Sequence, residues 1–322
     1  MSGKLLLRKL GMFAFTLWCV LTIMFFLFKL LPGDPTTIFL DNNFSSEMIE
    51  QQRRLWGLTD PLWQQYLRYL WNMVSFHFGD SFFGNESVGH IMAQKSLYTC
   101  LMIVPALVIS IIGGTLIGAV AGWRRNTAFE KTVVTGSLLL HSAPSFVVGI
   151  FALMVFSYTL QWLPSGGIVS VGAPDNLGSM LTSGDYLKHL ILPCLVLVSR
   201  EITGPILLLR NSMLEVKGSD FVDILRAKGL SPAQVVVHAT RNALLPLVTY
   251  IAVMTAAAFQ GQVLLEIIFA WPGIGRELVS ALRDLDYPVA QAALYLMALI
   301  TLGMNFIADS LYAFIDPRIT SD

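Results

Sequence analysis

An all-α polytopic membrane protein with six transmembrane helices is the fold that this 322-residue sequence predicts, and three observations predict it. Composition is the first: 55% of residues are hydrophobic, 13% are charged, and the mean hydropathy is +0.65. Soluble domains carry about 25% charged residues, so too few polar side chains remain to cover a water-soluble fold of this length. The second is a set of six apolar runs of spanning length. A hydrocarbon core about 30 Å thick needs about 20 residues at 1.5 Å each, because every backbone N–H and C=O must be satisfied within the helix. The third is the placement of basic residues on alternate loops. A net charge of zero, 21 Lys and Arg against 21 Asp and Glu, removes the general case for nucleic-acid binding, which needs a basic face.

The predicted spans lie at about 9–31, 97–122, 132–159, 189–209, 243–265 and 290–313. The first follows a basic N-terminus, but its apolar run exceeds a signal-peptide core and no small-residue cleavage site follows, so it reads as a retained span. Pro105 and Gly113-Gly114 interrupt the second, Pro144 the third, and Pro193 and Pro205 the fourth; such residues bend membrane helices and permit close packing. The fourth is the least apolar, with Arg200 and Glu201 at its middle. Cys19, Cys100 and Cys194 all fall inside apolar runs, without metal-ligand spacing, and read as packing residues. The organisation expected is a cytoplasmic N-terminus and first span (1–31), an outer, periplasmic loop (32–96), a five-helix core (97–313) containing the inner loop 210–242, and a cytoplasmic tail (314–322).

Six spans place both termini on one side, and basic residues decide which. The N-terminus, the loops 123–131 and 210–242 and the tail hold Lys4, Arg8, Lys9, Arg124, Arg125, Lys131, Arg210, Lys217, Arg226, Lys228, Arg241 and Arg318. The opposite loops hold seven Lys and Arg, four of them in the long 32–96 loop where the rule is weak, together with thirteen of the acidic residues. Both termini are expected in the cytoplasm.

The 210–242 loop is long, charged and helical in pattern. Phe221, Ile224, Leu225 and Lys228 recur at helical spacing, Gly229 suits a left-handed cap, and Ser231-Pro232 suits the start of a second helix. The pattern predicts a helix–turn–helix knuckle with apolar Leu230 at its tip. Two readings fit it: docking into a groove on a cytoplasmic partner, or lying on anionic lipid.

Asp223-Ile-Leu-Arg-Ala-Lys-Gly229, followed by Arg241-Asn-Ala-Leu-Leu-Pro246, resembles the "EAA" loop of binding-protein-dependent ABC importer permeases in its oligopeptide, dipeptide and nickel branch. Pro32-Gly-Asp-Pro35, Gly57-Leu-Thr-Asp-Pro-Leu62, Gln65-Tyr66, Gly79-Asp-Ser81, Arg210-Asn-Ser-Met-Leu-Glu215, Phe269-Ala-Trp-Pro-Gly-Ile-Gly275, Asp286-Tyr-Pro288 and Asp316-Pro-Arg318 are similar to that branch's motifs in order and spacing. Asp223, Ile224 and Leu225 depart from the Glu-Ala-Ala of the general motif, Asn242 stands where many permeases have proline, and Leu207 stands where related permeases often carry an extra Arg. The resemblance implies a type I ABC importer permease in the inner membrane of a prokaryote. Asp223, Ala227, Gly229, Leu230, Ser231, Pro232, Arg241 and Asn242 would then dock an ATPase, and Trp271, Pro272, Gly273 and Gly275 would form an outer gate or scoop. Trp271 also fits a membrane-interface aromatic belt.

Arg200 and Glu201 would each cost about 2.5–3.5 kcal/mol facing lipid at mid-membrane. Lining the translocation pathway, with Glu201 suited to a substrate amino terminus, and pairing structurally with a neighbouring helix are both open readings. Asp309, one turn after Asn305, and the lone His141 read as hydrogen-bonded structure. No Ser/His/Asp or paired-carboxylate set suggests a membrane hydrolase. An ion-coupled carrier should carry midplane relays, which only Glu201 suggests. The sequence lacks a phosphate-binding G-x-x-x-x-G-K-[ST] loop; its one Gly-Lys step, Gly3-Lys4, precedes Leu5.

The resemblance therefore implies a transport subunit that is not an enzyme and binds no cofactor or metal, with ATP and Mg²⁺ held by partners. Those partners are two cytoplasmic ATP-binding subunits, a second homologous permease, an extracytoplasmic solute-binding protein and membrane lipid. Di- and oligopeptides are the substrate it implies first, nickel chelates and oligosaccharides next.

Overall fold

The computed structural model describes residues 3–30, 59–83, 86–172, 176–259 and 263–315. The motifs at 32–35 and 316–318 and the Gly57-Leu58 step lie outside them. The described chain is helical, with one isolated antiparallel bridge between Asp80 and Ser87. It forms two compact units, residues 2–98 with 272–303 and residues 99–271 with 304–322.

In the first unit, α1 (Gly3–Leu30) and α2 (Leu62–Val74) pack through Leu21, Met24, Phe25, Tyr69 and Met73, with Tyr295. Thr22 Oγ1 and Tyr66 Oη lie 2.8 Å apart, and Lys29 Nζ donates to Gln65 Oε1 at 2.5 Å. The first turns of α3 (Val88–Trp123) supply Val88, Ile91 and Met92 to a second cluster with Ile274 and Leu278. Buried Asp286 accepts from Ser81 Oγ at 2.5 Å and from Phe82 N at 3.4 Å, so the two motifs around Gly79-Asp-Ser81 and Asp286-Tyr-Pro288 are one tethered corner.

In the second unit, proline chemistry sets three of the helix breaks. A proline lacks the N–H that would bond the carbonyl four residues earlier, crowds that carbonyl, and forces its predecessor out of the helical region. Ala143, before Pro144, is extended (φ −76°, ψ 133°), and α4 (Ala128–Ser142) meets α5 (Ser145–Ala152) and its π-helical continuation Leu153–Thr159 at 97°. After the short α6 (Leu177–Leu181), α7 (Gly184–Glu201) yields to α8 (Thr203–Lys217), where Pro205 leaves the Glu201 carbonyl without its helical donor. The helices α9 (Asp220–Ala227) and α10 (Pro232–Ala243) follow, then α11 (Leu245–Ala258), which meets α10 at 51° where Pro246 stands. In α3 Pro105 instead sits within a continuous helix, and the carbonyl it frees, on Leu101, accepts from Tyr186 Oη at 3.2 Å.

The remaining helices are α12 (Val263–Ile268), α13 (Ile274–Arg283) and α14 (Tyr287–Ile315). Among the described residues, four segments are long and apolar enough to be candidate spans, at 6–30, 88–123, 184–217 and 287–310, and six if each sharply bent pair, 128–159 and 232–258, crosses once. The third span expected from sequence is therefore a bent pair, because Pro144 interrupts an apolar run that hydropathy alone reads as continuous; the helix that begins the fifth, α11, instead forms its bent pair with α10, which the sequence reading placed in the 210–242 loop.

Along α3, Gly114, Gly118 and Gly122 repeat every four residues and face α8. A Cβ there would lie 2.9 Å from Ile202 O, 2.6 Å from Ile206 O and 2.6 Å from Arg210 O respectively. The two backbones touch, the small-residue packing that membrane helices use in place of a hydrophobic drive.

Candidate functional site: a helix–turn–helix knuckle and the bend above it

Residues 218–244 form a knuckle rooted on α8. Lys217 closes α8, its Nζ donating to Trp123 O at 2.6 Å and lying 5.1 Å from the Trp123 ring centroid. After α9, Gly229 adopts φ +77°, a conformation that costs a residue with Cβ about 1–2 kcal/mol. Ser231 then opens α10 through a reciprocal capping box, Ser231 N donating to Gln234 Oε1 at 2.9 Å and Gln234 N to Ser231 Oγ at 3.5 Å, with Pro232 at the first helical position. Val222, Leu225, Val235, Ala239 and Ala243 bury the inner face against Leu209, Met213 and Ala119.

Asp223, Ala227, Gly229, Ser231, Pro232, Arg241 and Asn242 are all exposed. Asp223 pairs only with its own-helix neighbour Arg226, at 3.3 Å between exposed side chains. Leu230 differs from expectation: it is half-buried against the inner cluster, and its N–H reaches Leu225 O at 3.4 Å. The left-handed turn folds it back, so Ile224 and Val237 supply the exposed apolar surface instead.

The root of the knuckle holds a residue that the sequence reading missed. Glu130 is buried, accepts from Arg210 Nε at 2.8 Å and from Arg210 Nη2, and takes the Asn126 N–H at 2.5 Å. Thr127 caps the same turn by accepting from Glu130 N at 3.3 Å. The signal was present: Glu130 is the one acidic residue of the 123–131 loop, three residues after a good cap, the spacing of a capping box.

Above the knuckle, Arg200 and Glu201 sit at the α7–α8 break and diverge. The Arg200 side chain is 50% exposed and that of Glu201 only 16%, with Arg200 Nε 3.8 Å from Glu201 Oε1. His141 Nδ1–H donates to the Arg200 carbonyl at 3.0 Å, and Thr203 Oγ1 donates to Ser137 O at 2.9 Å, so α4 clasps the break from both sides. Gly204 leaves room for Tyr250, since a Cβ at 204 would fall 1.8 Å from Tyr250 Oη. His141 thus has the structural bond expected of it.

Trp271 does not belong to an aromatic belt. It is 0% exposed, its N–H donates to Glu266 O at 2.8 Å, and its ring lies 6.4 Å from that of Tyr186. Glu266, another residue missed in the sequence, is buried with its carboxylate accepting from Thr99 Oγ1 at 2.7 Å. Close approach of Gly166, whose Cβ would lie 2.7 Å from Phe269 O, and the Gly167 N–H to Phe269 O bond of 2.9 Å lock the preceding turn. In the other unit Gly273 occupies the N-cap of α13, with Gly275 buried in its first turn and Pro272 partly exposed.

With this geometry in place, residues 114–321 match the family model described as the binding-protein-dependent transport system inner membrane component, and residues 2–100 match the N-terminal model of the same transport system membrane component. The chain is similar to a di/tripeptide transport system permease protein of Pseudomonas aeruginosa, 36% identical over 97% of each chain. It is 34% identical over 98% of each chain to a dipeptide transport system permease protein of Escherichia coli, and 33% identical over 92% of each to an oligopeptide transport system permease protein of Bacillus subtilis.

Proposed function

The chain belongs to the family of binding-protein-dependent transport system inner membrane components, and from that premise we propose that it is the permease subunit of an ATP-driven importer of di- and oligopeptides. What carries the reading is near end-to-end similarity to three permeases whose names specify short peptides. The exposed knuckle supports the coupling role: a rigid, capped helix–turn–helix carrying Ile224, Val237 and charged neighbours fits a groove on a cytoplasmic ATPase. In this reading two ATP-binding subunits hold ATP and Mg²⁺, a second permease of similar fold completes the pore, and an external binding protein delivers the peptide. Both termini are cytoplasmic.

Transport runs by alternating access. ATP binding draws the ATPases and the docked knuckles together, the spans open outward to receive peptide, and hydrolysis reopens the inner side. Arg200, half exposed at mid-span, faces the watery pathway, since lipid there would cost it several kcal/mol. Glu201, close behind it, meets the substrate ammonium. Trp271, Pro272, Gly273 and Gly275 serve the outer gate.

The test is reconstitution of the chain with its ATPases, second permease and binding protein in proteoliposomes. Uptake of labelled dipeptide that requires both ATP and the binding protein is expected. ATP-independent uptake by the lone chain would sink the importer reading, and ATP-driven uptake of nickel chelates or oligosaccharides but never peptides would sink the substrate.

A further inference from the structure

We infer that α2 (Leu62–Val74) is an interfacial anchor, lying in the membrane boundary beside the Leu30 end of α1 with Trp63, Leu67, Trp71 and Val74 set among lipid headgroups and upper acyl chains. Its depth is fixed by α1, a candidate membrane span. Lys29 Nζ donates to Gln65, and Thr22 bonds Tyr66, while the Phe25 ring packs on Tyr66 and Tyr69 at 5.3 and 5.5 Å. Thr22 and Lys29 are seven residues apart, about 10 Å along a helix at 1.5 Å per residue. Thus α2 is held alongside the last two turns of a span and not above it.

At about 100° per residue, α2 divides into three faces. Tyr69, Met73 and Tyr66 form the protein face, the first two buried. Gln64, Arg68 and Asn72 form a polar face, with Arg68 paired to Asp60 at 2.8 Å. Between them run Trp63, Leu67, Trp71 and Val74, the two indoles 63% and 72% exposed. A helix between protein and bulk water needs two kinds of face. This one has a third, apolar and indole-rich, at the depth where Trp concentrates at membrane boundaries.

The experiment places spin labels, one at a time, at Leu67→Cys, Val74→Cys, Gln64→Cys and Arg68→Cys in the fully assembled transporter, with Cys19, Cys100 and Cys194 replaced by serine. In phosphatidylethanolamine–phosphatidylglycerol vesicles, collisions with dissolved oxygen should exceed those with a water-soluble nickel chelate at 67 and 74, and the order should reverse at 64 and 68. Labels at 67 and 74 screened from both reagents would overturn the inference in favour of a protein covering this face; free access of the nickel chelate would overturn it in favour of water. The unsubstituted complex gives a second readout that does not depend on cysteine replacement. Lipids brominated near the headgroup should quench its tryptophan emission more than that of a Trp63→Phe/Trp71→Phe complex, and equal quenching overturns the inference.

Discussion

Valine in place of Gly118 should separate α8, on which the knuckle is rooted, from α3. The Cβ alone would stand 2.6 Å from Ile206 O, 3.0 Å from its Cα and 3.2 Å from its carbonyl carbon, where ordinary contact begins near 3.4 Å. Restoring contact needs α3 and α8 to part by about 0.8 Å at that point. A tilt cannot supply it cheaply, because one turn to either side Gly114 and Gly122 also meet backbone, at 2.9 Å from Ile202 O and 2.6 Å from Arg210 O. A β-branched side chain is also stiff at χ1 and cannot swing its γ-carbons clear. Overpacking costs about 1–3 kcal/mol, and a gap of 0.5–1 Å along the rest of the seam forfeits about a quarter to a half of each dispersion contact. The expected loss is therefore about 3 kcal/mol.

Gly136 is the matched control: helical, in the same unit, with nothing within 4 Å of a Cβ. Valine there should change stability by no more than about 0.5 kcal/mol. Reversible unfolding in mixed detergent micelles measures both. If Gly118→Val proves no more destabilising than Gly136→Val, the backbone-contact account of the α3–α8 seam is wrong.

Glu130→Ala leaves Arg210 half-buried without its partner and should cost about 3–5 kcal/mol; the unfolding midpoint checks it, and a change within error would mean the pair is ornamental. Gly229→Ala forces an alanine to φ +77° and should destabilise the knuckle by about 1–2 kcal/mol, read as weaker peptide-stimulated ATPase activity; unchanged stimulation would show that the turn tolerates a different geometry. Ile224→Asp alters only exposed surface, so thermal stability should hold within about 0.5 kcal/mol while co-purification of the ATPases fails; retained ATPase would move the docking face elsewhere. Glu201→Gln should lower uptake of peptides with a free amino terminus more than of blocked peptides, with basal ATPase intact, and equal uptake of every substrate would remove Glu201 from the pathway.

Hydropathy located the spans because burial in lipid is a property of composition over about 20 residues. It could not see the 97° bend, which depends on Pro144 within a run that remains apolar on both sides, nor the 51° bend at Pro246, whose first helix is too polar to read as part of a span. The knuckle was legible down to its cap, since Gly229 and Ser231-Pro232 act locally. Glu130 and Glu266 were not, because their partners Arg210 and Thr99 lie 80 and 167 residues away in sequence. The belt alternative for Trp271 falls for a related reason: an indole near a span end suits a belt and a buried turn equally, and only the approach of Tyr186 decides.

The same long-range bonds explain why the knuckle's two roots differ. On the α8 side, the glycine seam, the Arg210–Glu130 pair and the Lys217–Trp123 contact all tie the root to α3 and the 123–131 turn. Higher up, the break at 201–203 is clasped by the His141 and Thr203 bonds that join it to α4. On the α11 side, the junction at Leu244 has no side-chain cap, and Pro246 withholds the donor that would bond the Asn242 carbonyl. The α8 root is therefore tied to α3 and α4 by named contacts, whereas the α10–α11 junction lacks a side-chain cap and the proline's donor.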